Sequence, residues 1–151
     1  MINEELDIES CEAAVVDDTA AAKRTSTLSL AKPNGLPRCE RLRGRTAVSH
    51  LFAEGDGGFV FPIKYIYCKG SDATAVTSVM FTVPKRFHKR ANKRNLLRRR
   101  IKEAYRLQKG LLGAAGSGYH IALIYSHKEA SEYRKIAGAV EKILLRIGAA
   151  E

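Results

Sequence analysis

The segment from 93 to 106, KRNLLRRRIKEAYR, constrains the fold more strongly than any other part of the chain. Seven of its fourteen side chains are Lys or Arg, so it can pack only if its apolar residues gather on one side. A helix, at about 100° per residue, does gather four of them: Leu97, Ile101, Ala104 and Tyr105. The segment therefore predicts an amphipathic helix with one packed face and one cationic face, and Asn92 is the expected N-cap.

The cationic face carries a stripe at steps of four, three and four residues: Asn95, Arg99, Lys102 and Arg106. Arg94 and Arg98 flank this stripe. Like charges at i and i+4 repel by a few tenths of a kcal/mol per pair, and only Glu103 offers local relief. A charge run is most often a solvated face, but solvation does not require unpaired charge of one sign, whereas phosphates do. Arg also suits phosphate because a guanidinium binds two oxygens at once.

The positive charge of the chain is concentrated in and around this helix. The formal net charge is +10, and residues 85–109 hold twelve Lys or Arg against one acid. That stretch alone has a net charge of +11, so the rest of the chain sums to −1. Charge concentrated in this way predicts a defined docking face for a polyanion, with nucleic acid as the first choice and an anionic membrane surface as the second.

Cysteine spacing and the N-terminal residues bear on metal binding and location. The three cysteines, Cys11, Cys39 and Cys68, show no CxxC or Cys/His spacing, which favours reduced thiols over a disulfide framework or a zinc site. The N-terminus is acidic where a signal peptide is basic, and no apolar run is long enough to cross a bilayer. These features predict a soluble cytoplasmic protein.

Residues 1–37 differ in composition from the rest of the chain. Residues 1–22 carry seven acids and no Lys or Arg, and residues 23–37 are rich in Ser, Thr, Lys, Pro and Gly. Because no hydrophobic periodicity is present, this stretch predicts a disordered extension before a single folded domain at 38–151. Its acids could fold back onto the basic helix or remain a solvated tail, and both alternatives stay open.

The remaining residues show the pattern of an α+β protein. Short apolar runs with alternation predict strands, with Pro62 at a strand start or a sheet edge and the second run apolar enough to be central. Apolar residues at three- and four-residue steps predict the helices. Helices are expected at 46–52, 93–106 and 130–147, and strands at 58–68, 73–83 and 119–125. This order implies a two-layer α-β sandwich, in which helices pack on a small central sheet.

The order of these elements, together with FTVPKR (81–86) and KRANKRNLLRRRIKEAYR, resembles the protein subunit of bacterial ribonuclease P. In that family, a strand ending in Lys-Lys or Lys-Arg precedes a helix with an Arg-Asn-Arg signature and further basic residues. Arg94 and Asn95 match the first two signature positions, and the later basic positions are matched by Arg98, Arg99 and Lys102. ERLRGRTAVSHLFAEG fits the family's first helix, and the resemblance covers roughly residues 38–147.

The third signature position departs from the family pattern. Leu96 stands where the family usually has Arg, on the shoulder of the helix away from the predicted core. Either Arg100, one turn later on the same side, supplies the missing charge, or this position serves packing instead of phosphate contact.

The resemblance implies a fold of the ribosomal protein S5 domain 2 type, with a left-handed β-α-β crossover around the basic helix. It implies an accessory protein subunit of an endoribonuclease whose RNA subunit performs catalysis. The chain would bind that RNA and the 5′ leader of precursor tRNA, would favour Mg²⁺ held mainly by the RNA, and would need no protein homo-oligomer. The expected RNA-binding residues are Lys85, Arg86, Lys89, Arg90, Lys93, Arg94, Asn95, Arg98, Arg99, Lys102 and Arg106.

Aromatic residues on neighbouring elements suggest how a single-stranded leader would be held, because such RNA stacks on aromatic rings beside a basic track. The resemblance implies leader-cleft residues at Phe52, at Tyr65 or Tyr67, and at Tyr133, which fall near the family's leader-cleft aromatic residues. Tyr65 and Tyr67 share a strand face, and Tyr133 begins the last helix, so a shared cleft is conceivable. Core packing is the better explanation for each aromatic residue when it is taken singly.

No catalytic site is evident in the folded domain. Its acids are scattered and its four histidines are isolated, so neither a two-metal nuclease site nor an acid/base pair is indicated. The leading hypothesis is therefore the ribonuclease P subunit, which acts in tRNA maturation. A ribosomal or general RNA-binding protein without a processing role and a stand-alone metal-dependent nuclease remain the alternatives.

Overall fold

The structure is a computed structural model that describes residues 34–70, 76–113 and 118–149. Three helices and four strands are present in this part of the chain. In chain order they are α1 (Arg45–Glu54), β1 (Asp56–Val60), β2 (Ile63–Lys69), β3 (Ser78–Thr82), α2 (Ala91–Gln108), β4 (Tyr119–Tyr125) and α3 (Tyr133–Gly148). A short 3-10 helix, Lys109–Leu112, follows α2.

The four strands form one sheet in the order β1-β2-β4-β3. β2 pairs antiparallel with both β1 and β4, whereas β3 runs parallel to β4 with Val79 opposite Ile121. Parallel neighbours require a crossover connection, and α2 lies within that crossover. The sheet and its helices form the small α+β fold that the sequence predicts, and the β-α-β unit places the basic helix against the sheet.

The two faces of the sheet pack against different helices. On β4, Ile121 and Leu123 belong to a large core cluster with residues of α2 and α3, whereas Ala122 joins a smaller cluster with Leu51 of α1. Because neighbouring strand residues point to opposite faces, α1 covers one face while α2 and α3 cover the other. Ile101 of α2 is fully buried in the large cluster, and burial of such a side chain contributes about 1.5–3 kcal/mol.

Three local expectations are wrong. Residues 58–68 form a hairpin of β1 and β2 instead of one strand, and the cis peptide Phe61-Pro62 lies at its turn. The second predicted strand, β3, lies at an edge of the sheet because β4, buried on both faces, occupies the central position. The N-cap of α2 is Arg90 instead of Asn92, because the preceding loop enters the helix two residues earlier.

The outer edge of β3 is covered by the chain segment before α1. The Val79 amide donates to the Glu40 carbonyl at 2.9 Å, and the Leu42 amide donates to the Val79 carbonyl at 3.0 Å. This segment ends at Gly44, whose φ of 94° is rarely adopted by other residues. Leu36 is buried in the large core cluster, so the folded domain begins before residue 38. The rest of the predicted extension, residues 1–33, lies outside the described residues.

Candidate nucleic-acid interface

The apolar face of α2 holds the basic helix against the sheet. The buried residues of α2 are the four predicted from the helical period: Leu97, Ile101, Ala104 and Tyr105. The Tyr105 ring lies edge-on to Phe81 of the sheet layer with 5.7 Å between ring centroids. Burial, with a smaller contribution from the Glu40 charge, raises the pKa of the Tyr105 hydroxyl. The prediction of the packed face is confirmed, and the opposite face of α2 is therefore directed outward.

The loop between β3 and α2 is anchored through a buried histidine. His88 is a polar residue that is buried in the part of the chain that the structure describes. Its Nε2 lies 3.1 Å from the carbonyl oxygen of His127. A carbonyl only accepts a hydrogen bond, so this contact assigns the proton of the His88 ring to Nε2. Lys85, Lys89 and Arg90 of the same loop are exposed. The buried histidine thus fixes the loop while its cations face outward.

Three of the arginines on α2 are engaged with the protein itself. Arg94 donates to the carbonyls of His88, at 2.9 Å, and of Lys89. Arg100 donates to the Ser131 carbonyl at 2.8 Å. Arg106 donates to both carboxylate oxygens of Glu103 and, at 2.8 Å, to the Asn34 carbonyl. These guanidinium groups join α2 to neighbouring segments, so they are less free to contact RNA than the sequence predicts.

A second group of cations on and before α2 has no hydrogen-bond or ion-pair partner among the described residues. We call this group the open cations: Lys85, Lys89, Arg90, Lys93, Arg99 and Lys102. Two further residues predicted to bind RNA contact only side chains close to them in the sequence. Arg98 donates to the Asn95 side chain at 3.1 Å, and the Arg86 guanidinium lies 4.6 Å from the centre of the Phe87 ring. Uncompensated like charge along one surface attracts phosphate.

A cationic groove next to α2 was missed by the sequence reasoning. A cavity of about 380 Å³ lies between α2, β3 and the segment before α1. Arg41 and Arg43 line it together with Arg98 and Lys102 of α2. A signal for it was present, because residues 38–45, RCERLRGR, contain four arginines against one acid. The basic surface therefore extends beyond α2 onto the N-terminal segment of the domain.

The structure does not bring the four predicted leader-cleft residues together. Phe52 is 48% exposed on α1, and α1 covers the sheet face opposite α2 and α3. Tyr65 and Tyr67 face the other way in the large core cluster, with 6.2 Å between their ring centroids. Burial, followed by the nearby Asp56 charge, raises the pKa of Tyr67. Tyr133 lines a different cavity, next to α2.

The departure at Leu96 has a clear structural setting. Leu96 is 47% exposed and lines the same cavity as Tyr133, so it does not serve core packing. Arg100 is half-buried and bound to the Ser131 carbonyl. The exposure of Leu96 does not fit a role in core packing, whereas Arg100 keeps its charge while it donates to this carbonyl and lines the same cavity.

The described residues offer few groups for metal binding or membrane insertion. No group of three or more His, Cys, Asp or Glu side chains that could hold a metal ion occurs among them. Cys68 Sγ lies 3.8 Å from His50 Nδ1, but burial raises the pKa of this thiol and so favours its neutral form. Within the same residues, none of the helices has the length and apolar character needed to span a bilayer.

Comparison with known proteins agrees with this architecture. The family model described as Ribonuclease P matches residues 36–148. The ribonuclease P protein component of Porphyromonas gingivalis is 35% identical over 118 residues, which cover 75% of this chain and 86% of the relative. That of Chlorobaculum tepidum is 37% identical over 125 residues, which cover 77% and 78%.

Solved structures show the same fold at lower identity. The RNase P protein from Thermotoga maritima matches with a TM-score of 0.59 and 24% identity, covering 71% of this chain and 96% of that protein. The Staphylococcus aureus RNase P protein matches with a TM-score of 0.59 and 16% identity, covering 70% and 92%. With the family match spanning nearly all of the folded residues and the curated relatives aligning over most of both chains, this chain belongs to the bacterial ribonuclease P protein components, the protein subunits of that endoribonuclease.

Proposed function

We propose that the chain binds the catalytic RNA of ribonuclease P through the cationic surface of α2 and assists removal of the 5′ leader from precursor tRNA. The observation that carries this proposal is the set of open cations, which lie along one helix and the loop before it and form no salt bridge among the described residues. Glu103, the acid whose charge Lys102 influences, forms its salt bridge with Arg106. A packed helix does not need such charge for its own stability, since like charges on one face repel.

RNA phosphates would replace the missing negative charge. Arg99 and Lys102 lie one helical turn apart on the outward side of α2, so a single backbone segment can contact both. Each phosphate contact releases condensed counterions, which makes the affinity fall steeply with salt. The groove that contains Arg41 and Arg43 continues this surface and would take a second backbone segment.

Catalysis is assigned to the RNA subunit. The described residues hold no cluster of three or more metal-ligating side chains, so they do not fit a catalytic Mg²⁺ site. The Mg²⁺ that the reaction requires would be held by RNA phosphates. The cations of the protein would lower the repulsion between the phosphates of neighbouring RNA segments. The proposal places this activity in the cytoplasm, where precursor tRNA is processed.

Contact with the 5′ leader is proposed for the α1 side of the sheet. Phe52 is exposed there, and an exposed aromatic ring provides a stacking surface for an unpaired base. Tyr65 and Tyr67 are poor candidates because both pack in the core cluster on the other sheet face. Of the four aromatic residues predicted to contact the leader, we therefore propose Phe52 alone. Tyr133 lines a separate cavity.

Reconstitution tests the proposal. The full chain and the cognate catalytic RNA should cleave precursor tRNA at a low Mg²⁺ concentration at which the RNA alone is inactive, and the protein alone should cleave nothing. Arg99→Ala with Lys102→Ala should weaken RNA binding and lower the slope of log affinity against log salt by about 1–2. A matched control, Lys142→Ala with Arg146→Ala, removes the same charge from the exposed face of α3 and should have little effect.

Two outcomes would contradict the proposal. Wild-type protein that binds RNA but gives no stimulation at low Mg²⁺ would favour a general RNA-binding protein. A preference for precursor over mature tRNA supports the ribonuclease P assignment, because only the precursor carries a leader. Cleavage by the protein without added RNA would instead indicate a stand-alone nuclease.

A further inference from the structure

A cavity of about 490 Å³ lies between α2 and the beginning of α3. Its lining residues are Leu96, Arg99, Arg100, Lys102, Glu103, Arg106 and Tyr133. Sites for small ligands have volumes of about 300–1,000 Å³, so the cavity is large enough for a nucleotide. Four of its side chains are cationic and one is acidic, which favours an anionic occupant.

Two uncharged side chains of this cavity are open to solvent. Leu96 is 47% exposed and Tyr133 is 37% exposed, and both side chains line the cavity. A leucine in the middle of a cationic helix face offers no contact for phosphate. Together with an aromatic ring it does offer a surface for a nucleobase, because bases stack on aromatic side chains regardless of sequence.

The wall of the cavity is held in place by hydrogen bonds. Arg100 Nη1 donates to the Ser131 carbonyl at 2.8 Å, which joins α2 to the segment before α3. The Tyr125 hydroxyl lies 2.8 Å from the Ser131 hydroxyl and accepts from the Ser131 amide at the same distance. Tyr133 begins α3 two residues later. Its ring is therefore carried by a backbone segment that is fixed from two sides.

The charges around the cavity are arranged to accept a phosphate at one position. Glu103 is paired with Arg106, and this hydrogen bond lowers the pKa of the Glu103 carboxyl. The only acid of the lining is thus compensated by its partner. Arg99 and Lys102 line the cavity and make no hydrogen bond or salt bridge among the described residues, although the Lys102 charge also acts on Glu103.

We propose that this cavity receives one unstacked nucleotide of the catalytic RNA, with its base against Leu96 and Tyr133 and its phosphate on Arg99. This inference rests on the proposed function, since it needs an RNA bound along α2. The occupant is assigned to the catalytic RNA because Arg99 and Lys102 belong both to the cavity and to the open cations that would bind that RNA. The 5′ leader is assigned to the other face of the sheet, near Phe52.

Ultraviolet crosslinking of the full chain to the cognate catalytic RNA provides the first test. After nuclease and protease digestion, mass spectrometry should find a nucleotide attached to the peptide that contains Tyr133. Absence of this adduct in a complex that crosslinks elsewhere on α2 would overturn the inference. An adduct that forms only when precursor tRNA is present, and that maps to its leader, would also overturn it.

Affinity measurements provide the second test. Tyr133→Ala should weaken binding of the catalytic RNA by about fivefold to a hundredfold, the range for loss of one base-stacking contact, and Leu96→Ala should weaken it severalfold. Neither change removes a charge, so the salt slope should stay at the wild-type value, in contrast to Arg99→Ala. Leu107→Ala is the matched control, because Leu107 is equally exposed on α2 but does not line the cavity.

The outcomes separate this inference from the proposed function. Variants at Leu96 and Tyr133 that keep their melting temperature and bind the catalytic RNA like wild type would refute the nucleotide site, while a wild-type protein that supports cleavage would leave the proposed function intact. Wild-type protein that neither binds the catalytic RNA nor stimulates cleavage would refute both.

Discussion

The Arg94 side chain donates two hydrogen bonds to the loop that leads into α2, one of them at 2.9 Å to the His88 carbonyl and the other to the Lys89 carbonyl. His88 in turn is buried and contacts the His127 carbonyl. Arg94→Ala would leave both loop carbonyls without this donor at the beginning of the basic helix. We therefore expect this substitution to act mainly on stability, although Arg94 occupies a signature position of the family.

The expected size of the effect follows from the geometry. A buried hydrogen bond to a charged group contributes about 1.5–3 kcal/mol, but Arg94 is half-buried and water can reach the freed carbonyls in part. A loss of about 1–2 kcal/mol in the free energy of unfolding is therefore expected. At about 4 °C per kcal/mol for a domain of this size, the melting temperature should fall by about 4–8 °C. Urea unfolding followed by far-ultraviolet circular dichroism measures the same loss independently.

Arg99→Ala is the matched comparison, because Arg99 is exposed and has no partner among the described residues. Its stability should stay within about 0.5 kcal/mol of wild type, and its salt slope for RNA binding should fall by about 1. Arg94→Ala should show the reverse pattern. The reasoning is refuted if Arg94→Ala melts at the wild-type temperature and lowers the salt dependence of RNA binding as much as Arg99→Ala does. Arg94 would then contact RNA instead of stabilising the loop before α2.

Three further substitutions test the packing and the charge of the same surface. Ile101→Asp should abolish cooperative unfolding in circular dichroism, because it buries an unpaired charge against the sheet, whereas Leu107→Asp on the exposed side should fold. Glu103→Gln should remove the negative charge beside Arg106 and tighten RNA binding at low salt, although Arg106 keeps its hydrogen bond to the Asn34 carbonyl. Weaker RNA binding would contradict this. The pKa of Glu103 is lowered in the fold, so its pairing with Arg106 stabilises the protein fully above the ordinary carboxyl pKa of about 4.3. This stabilisation is lost as the pH falls through the lowered pKa. The difference in stability between wild type and Glu103→Gln should therefore vanish in acid. Arg43→Ala should weaken RNA binding at an unchanged melting temperature.

The helical period was sufficient to predict which side of α2 is buried. It identified Leu97, Ile101, Ala104 and Tyr105 because a helix face depends only on spacing within one segment. The same kind of reasoning could not assign the faces of β2. A period of two groups Tyr65 with Tyr67, but which sheet face meets α1 and which meets α2 depends on how distant segments pack. The sequence therefore did not show that Tyr65 and Tyr67 lie on the sheet face away from Phe52.

Charge counting was likewise limited by contacts between distant segments. It counted Arg100 and Arg106 with the other cations of α2, yet their partners include the carbonyls of Ser131 and Asn34, 31 and 72 residues away. Conversely, it did not single out Arg41 and Arg43, which line the groove beside Lys102, and Arg41 also donates to the Leu36 carbonyl at 3.1 Å. A sequence shows how many cations a surface carries, whereas only the fold shows which of them are already satisfied.

Leu96 illustrates how one residue can change what such a surface recognises. An arginine at this position would add one more cation to a helix that already has several, among them Arg100, whose guanidinium also donates to the Ser131 carbonyl. Leucine instead leaves an apolar surface beside the Tyr133 ring, within a rim of cations. Phosphate contacts bind any RNA backbone, but a contact with a base requires an unstacked nucleotide at a defined place. If the proposed nucleotide site is correct, the departure from the family signature would exchange affinity for any RNA backbone for recognition of RNA structure, at the point where α2 meets α3.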